Sequence, residues 1–123
     1  MGHYRLAAGA EAQLGEILDW SERRFGAAAR ERYAALILAA LRSVADEPHH
    51  ANVHWRRVHK TEIGVYRIEH SRDRVPAELG RVGEPRHFVV FTIGTDGVVD
   101  ILGFVHDSML LSHAFRRLTL KAR

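Results

Sequence analysis

The last apolar run of the chain, Val98 to Met109 (VVDILGFVHDSM), closes on His106, Asp107 and Ser108. Imidazole, carboxylate and hydroxyl are the groups that nucleophilic catalysis assembles. Here they are consecutive, and consecutive side chains on a strand point to opposite faces, so the run itself predicts no triad. A histidine at a strand end has a structural use as well, bonded to a backbone carbonyl. A second histidine-rich stretch, 49–62, holds His49, His50, His54 and His59 with Trp55, Arg56, Arg57 and Lys60. His50 and His54 have the i, i+4 spacing of a helical HExxH metal site. Ala51-Asn52-Val53 lie between them, so the glutamate is missing, and Pro48 opposes a helix there. The stretch therefore reads as a loop with irregular or short strand content and no metal site. Arg56-Arg57-Val58-His59-Lys60 and Arg116-Arg117 are the basic segments, and Trp55 is placed to stack a base. No recognition-helix, KH or RRM signature accompanies them.

The elements that must position these residues are legible from periodicity. Tyr4-Arg5-Leu6 reads as a short strand. Ala10, Leu14, Ile17, Leu18 and Phe25 recur near one face of a helix, which Gly26 ends with Arg23 and Arg24 in its last turn. Ala29, Tyr33, Leu36, Ile37, Ala40, Leu41 and Val44 form the stripe of a second helix that stops before Pro48. Gly64 to His70 alternates apolar and polar, as a strand does. Ser71 to Arg86, with Pro76, Gly80, Gly83 and Pro85, reads as a polar loop whose one helical hint is Ala77-Glu78-Leu79. His87–Thr95 and Val98–His106 predict a hairpin about Gly94-Thr95-Asp96-Gly97. Apolar residues fall on both faces of its second strand, so that strand belongs inside the sheet. Ser112 to Leu120 reads as a short basic helix. The order predicts an α+β domain spanning residues 1–123. It has an N-terminal strand, a two-helix hairpin, then a three-stranded, mostly antiparallel sheet.

Composition sets the outer bounds. With 123 residues, 46% hydrophobic and 27% charged, one soluble domain with its own core is expected. No cysteine is present, so disulfides and thiolate metal sites are excluded. No apolar run approaches the roughly 18 residues of a membrane span, and the cytoplasm is the expected location. The net charge of +3 is uneven: residues 48–123 carry 12 Lys/Arg against 8 acids, and the last 16 residues carry four and no acid. Such a region suits an acidic macromolecular partner.

Four ordered stretches resemble the ParE branch of the RelE/ParE toxin superfamily. Tyr4-Arg5-Leu6 with Ala10-Glu11-Ala12-Gln13-Leu14 is similar to its first strand and helix start. Ile17-Leu18-Asp19-Trp20 with Glu22-Arg23-Arg24-Phe25-Gly26 is similar to its helix end. The stripe from Ala29 to Glu47-Pro48 resembles its second helix, and Asp100-Ile101-Leu102 with Val105-His106-Asp107-Ser108-Met109 its last strand. Three departures stand out. Gln13 replaces a usual acid, Gly103 replaces a usual basic residue, and 71–86 is an insertion where the family joins two strands tightly.

The resemblance implies a toxin of a type II toxin–antitoxin pair. Such a toxin inhibits DNA gyrase without being an enzyme, and is neutralised in a hetero-oligomer with a cognate antitoxin. Neither cofactor nor metal nor membrane is implied. Target contact would fall to Arg67, His106, Arg116 and Arg117, and antitoxin contact to Trp20, which lies off the apolar stripe. The alternative within the superfamily is a RelE-like ribosome-dependent endoribonuclease. Arg67 and His106 would then serve the 2′-hydroxyl and the scissile phosphate. Gly103 and the lack of any Tyr or Trp after Tyr66 oppose that alternative. A third reading is a non-toxic member of the fold that only binds its partner.

Overall fold

The structure, a computed structural model, describes residues 2–109. Its elements run β1 (Tyr4–Leu6), α1 (Ala8–Phe25), α2 (Ala27–Asp46), β2 (His54–Val58) and β3 (Thr61–Arg67). Two short 3-10 helices follow (Ile68–Arg74 and Ala77–Leu79), then β4 (His87–Ile93) and β5 (Val99–His106). The architecture is α+β, but the sheet is larger than expected. Five strands lie in the order β1-β5-β4-β3-β2, with β1 parallel to β5 and the other pairs antiparallel. The three-stranded expectation is thus corrected at both edges. The expected C-terminal helix at 112–120 lies outside the described residues.

β2 escaped notice because an edge strand needs few apolar residues. Only Trp55 and Val58 pack inward, while Arg56 and Arg57 face solvent, a charge pattern that protects a sheet edge. Its turn into β3 uses His59 and Lys60 at φ 50° and 66°, the left-handed geometry of a tight hairpin without the usual glycine or asparagine. β3 itself begins earlier than its alternation implied, at Thr61, and gives way to 3-10 helix at Ile68.

Segment 71–86 is folded onto α2, and the helical hint at Ala77-Glu78-Leu79 is its second 3-10 helix. Ser43 Oγ donates to the Ala39 carbonyl at 2.9 Å, so Ser71 Oγ, 2.8 Å away, must donate to Ser43. Ser71 then accepts from the Tyr66 hydroxyl at 2.8 Å. Arg74 adds bonds to Ser43 and Asp46. This hydroxyl chain leaves buried Ser71 satisfied and joins the first 3-10 helix to both layers.

The second helix presents the stripe read from the sequence, with Leu36, Ile37, Ala40, Leu41 and Val44 buried. In α1 the inward face ends at buried Ser21, and Phe25, expected on that face, is 64% exposed. The chain turns at Gly26 (φ 94°) straight into α2, and the Phe25 ring packs on Trp20 instead of the core. Gln13, at the departure from the family pattern, has a clear task. β1 stops pairing at Ile101, and Gln13 Oε1 accepts the Phe104 amide at 2.9 Å further along the same strand. A carboxylate could accept that bond equally well.

The sheet has two apolar faces. Val89, Phe91, Tyr66, Ile101 and Phe104 pack with the helices. Ile63, Val65, Phe88, Val90, Leu102 and Val105 form a second buried cluster on the other face. A close contact lies on the helix side. A Cβ at Gly64 would lie 2.5–2.9 Å from three ring atoms of Phe91, which is fully buried. Gly64→Ala should therefore cost about 1–3 kcal/mol in urea unfolding, the usual range for overpacking. The same change in a Phe91→Leu background should cost less, by at least about 0.5 kcal/mol. Equal losses in the two backgrounds would show that the ring is not what the methyl meets.

Candidate functional site

The residues singled out for chemistry do not converge. Arg67 is cross-strand partner to Phe88, and its guanidinium lies 4.8 Å over the Phe88 ring, on the second apolar face. Its Nε donates to Glu69 at 2.5 Å. His106 is partnered with His87, and the two rings meet edge to face at 5.2 Å on the helix-covered side. Neighbouring positions of β4, Phe88 and His87, thus carry the two candidates to opposite faces of the sheet. One phosphate cannot lie between them.

The His106-Asp107-Ser108 run is arranged differently from the strand expectation. β5 ends at His106, and the next two residues turn back. Ser108 Oγ sits 2.8 Å from His106 Nδ1, the Ser108 amide donates to the same nitrogen at 3.1 Å, and Asp107 lies 3.4 Å from it. A catalytic relay needs the acid on one ring nitrogen and the nucleophile on the other. Crowding on a single nitrogen makes this a turn-closing cluster.

Behind it stands a group the sequence reading missed. His87 opens β4 on its covered face, 9% exposed, with the Tyr33 hydroxyl 2.6 Å from its Nδ1. The Arg86 amide donates to that hydroxyl at 3.1 Å, which leaves the hydroxyl proton free to point to Nδ1 of a neutral His87 that carries its hydrogen on Nε2. Burial, with some help from His106, pushes the His87 pKa down to about 4, against an opposing pull from Asp107. Burial also raises the Tyr33 hydroxyl, which keeps it a donor. The one signal available beforehand was a histidine in phase with Val89 and Phe91 at the head of a buried strand.

The remaining candidates resolve individually. Trp55 is committed to the core: it stacks on His49 at 5.1 Å, meets Phe91 edge-on at 5.4 Å, and donates its indole N–H to Pro48. His50 lies in a turn and His54 begins β2, so their spacing is not helical; His50 Nδ1 accepts the Asn52 amide. Among the described residues no three His, Asp or Glu side chains are grouped to hold a metal. Arg116 and Arg117 lie outside the described residues. Trp20 is 38% exposed, as a contact residue must be, and stands edge to face with Phe25 at 5.9 Å. Arg24 lies over both rings, 5.7 Å and 5.9 Å from their centres. Trp, Phe and Arg grouped on a surface are the residue types that dominate binding energy at interfaces.

Comparison with known protein families matches residues 4–111 to the ParE toxin of type II toxin–antitoxin systems, parDE. The chain belongs to that family. No curated protein sequence matches it. As a ParE-family toxin, the chain is one half of a pair whose other half is an antitoxin. No helix among its described residues is long and apolar enough to cross a membrane. The family match runs across residues 71–86, so both 3-10 segments lie within the matched region.

The buried histidine gives this ParE-family fold a defined acid response. Tyr33 on α2, Arg86 before β4, and His106 with Asp107 after β5 are the polar groups that face His87. Its folded pKa, about 4, lies below the ordinary 6.5. The unfolded chain therefore takes up a proton that the folded state refuses. The histidine leaves stability unchanged above pH 6.5 and imposes a penalty that grows as pH falls toward 4, to about 3 kcal/mol. His87→Gln should flatten the urea-midpoint profile by that amount relative to the parent. Parallel profiles for the two proteins would refute the assignment.

Proposed function

We propose that this ParE-family chain arrests growth by binding DNA gyrase, and that a cognate antitoxin neutralises it. The family match over residues 4–111 carries this reading. Two features of the site favour binding over catalysis. Arg67 and His106 face away from each other across the sheet, and the exposed aromatic and cationic group at Trp20, Arg24 and Phe25 has the character of an interface. In this reading the target contacts are Arg67 on one face of the sheet, His106 at the end of β5 as a separate contact, and the basic pair Arg116 and Arg117. Trp20 anchors the antitoxin, whose chain adds an amphipathic helix or an edge strand. The assembly is a hetero-oligomer in the cytoplasm.

Purified toxin added to gyrase and plasmid should reduce supercoiling and accumulate linear DNA. No effect in excess, with messenger RNA cleaved in a translation extract, would overturn the reading in favour of a ribosome-dependent RNase. Silence in both assays and no growth arrest would leave a partner-binding member only. Arg116→Ala with Arg117→Ala should weaken growth arrest without unfolding the protein. Full arrest by a folded double variant would remove the basic C-terminus from the mechanism. Trp20→Ala should leave gyrase inhibition intact and weaken antitoxin binding by about 30-fold, as loss of a 2 kcal/mol anchor does.

A further inference from the structure

The 71–86 insertion does more than cover α2. Between them lies a half-open cavity of about 340 Å³. That is within the range of small-ligand sites, which begin at about 300 Å³. Three arginines are among its lining residues: Arg32 from α2, and Arg72 and Arg81 from segment 71–86. One acid, Asp73, is also among the lining residues, with its side chain 96% exposed, and Leu36 and Val82 supply apolar lining.

The arginines are under-used. Arg32 makes no hydrogen bond or ion pair with any described residue. Arg81 reaches Asp73 only at 4.0 Å, across two largely exposed side chains. Arg72 donates one terminal nitrogen to the Gly83 carbonyl at 2.7 Å. Its Nε is buried with no acceptor, the one side-chain polar atom in that state among the described residues. The backbone is shaped to hold the cluster. Gly80 takes φ 84°, and a Cβ there would stand 3.2 Å from Arg32 Cδ.

We infer that this cavity binds a phosphate monoester with an apolar or aromatic body, such as a mononucleotide. Three cations against one anion leave two positive charges, which match a phosphate dianion. Guanidinium groups are suited to phosphate because they present paired donors in a plane. The apolar wall distinguishes the site from a simple anion patch, since it gives the body of the ligand somewhere to lie. The inference is independent of the target: it stands whether the toxin acts on gyrase or on another partner.

The test is titration calorimetry of the full chain with AMP, inorganic phosphate and adenosine in physiological salt. AMP should bind saturably, with phosphate alone at least about tenfold weaker and adenosine without measurable binding. Arg81→Gln, at an exposed position that leaves the fold intact, should weaken AMP about tenfold to a hundredfold. Arg32→Gln should do the same, and Arg57→Gln, on β2 far along the chain, should change nothing. Absence of saturable AMP binding would overturn the inference. So would AMP binding unaffected by Arg81→Gln, or a glutamate-rich peptide that binds more tightly than AMP.

Discussion

The Phe91 ring lies on the bare backbone of Gly64, and the two layers of this protein depend on that contact. Phe91 is on β4, Gly64 is its partner on β3, and the ring occupies the space a side chain at 64 would fill. Trp55 closes over it from β2, so one ring ties three strands to the helix-side core. β5 then sits between β4 and β1, apolar on both faces, with its free amide at Phe104 met by Gln13 of α1. Close packing of this kind transmits any change in volume, which makes the sheet a rigid plate. The surfaces that meet partners are carried on that plate.

The rigidity separates what lies on the two sides. Strand alternation sends Arg67 to one face and His106 to the other, and the turn after β5 binds Asp107 and Ser108 to the same imidazole nitrogen. Catalysis needs groups held together around a reacting atom. Tyr33 and His87, which also come together, are buried and hydrogen-bonded to each other. What is left at the surface is charge and aromatic area, the material of recognition.

Much of the fold was legible because it rests on periodicity. The stripe of α2, the Gly94–Gly97 turn and the interior place of β5 all follow from spacing, and the structure has each of them. β2 was not legible, because an edge strand buries only Trp55 and Val58 and turns on His59 and Lys60 without a glycine. Phe25 was misplaced because a stripe carries no mark of where a helix leaves the core. Within 71–86 the hint at Ala77-Glu78-Leu79 is the second 3-10 helix, but the first, Ile68–Arg74, was not legible, because it is held by hydroxyl bonding of Ser71 to Ser43 and Tyr66, which has no sequence period. At the site, His87 was lost among nine histidines, since its burial depends on the register of β4 with β5.

The central functional claim is that the toxin acts by occupying its target and not by turning over a substrate. Stoichiometry separates the two most directly. Gyrase supercoiling should be titrated with toxin at gyrase concentrations well above the dissociation constant. Binding predicts that inhibition rises linearly and saturates near one toxin per gyrase site. Complete loss of function at a small fraction of that ratio, continuing to progress with time, would contradict the account.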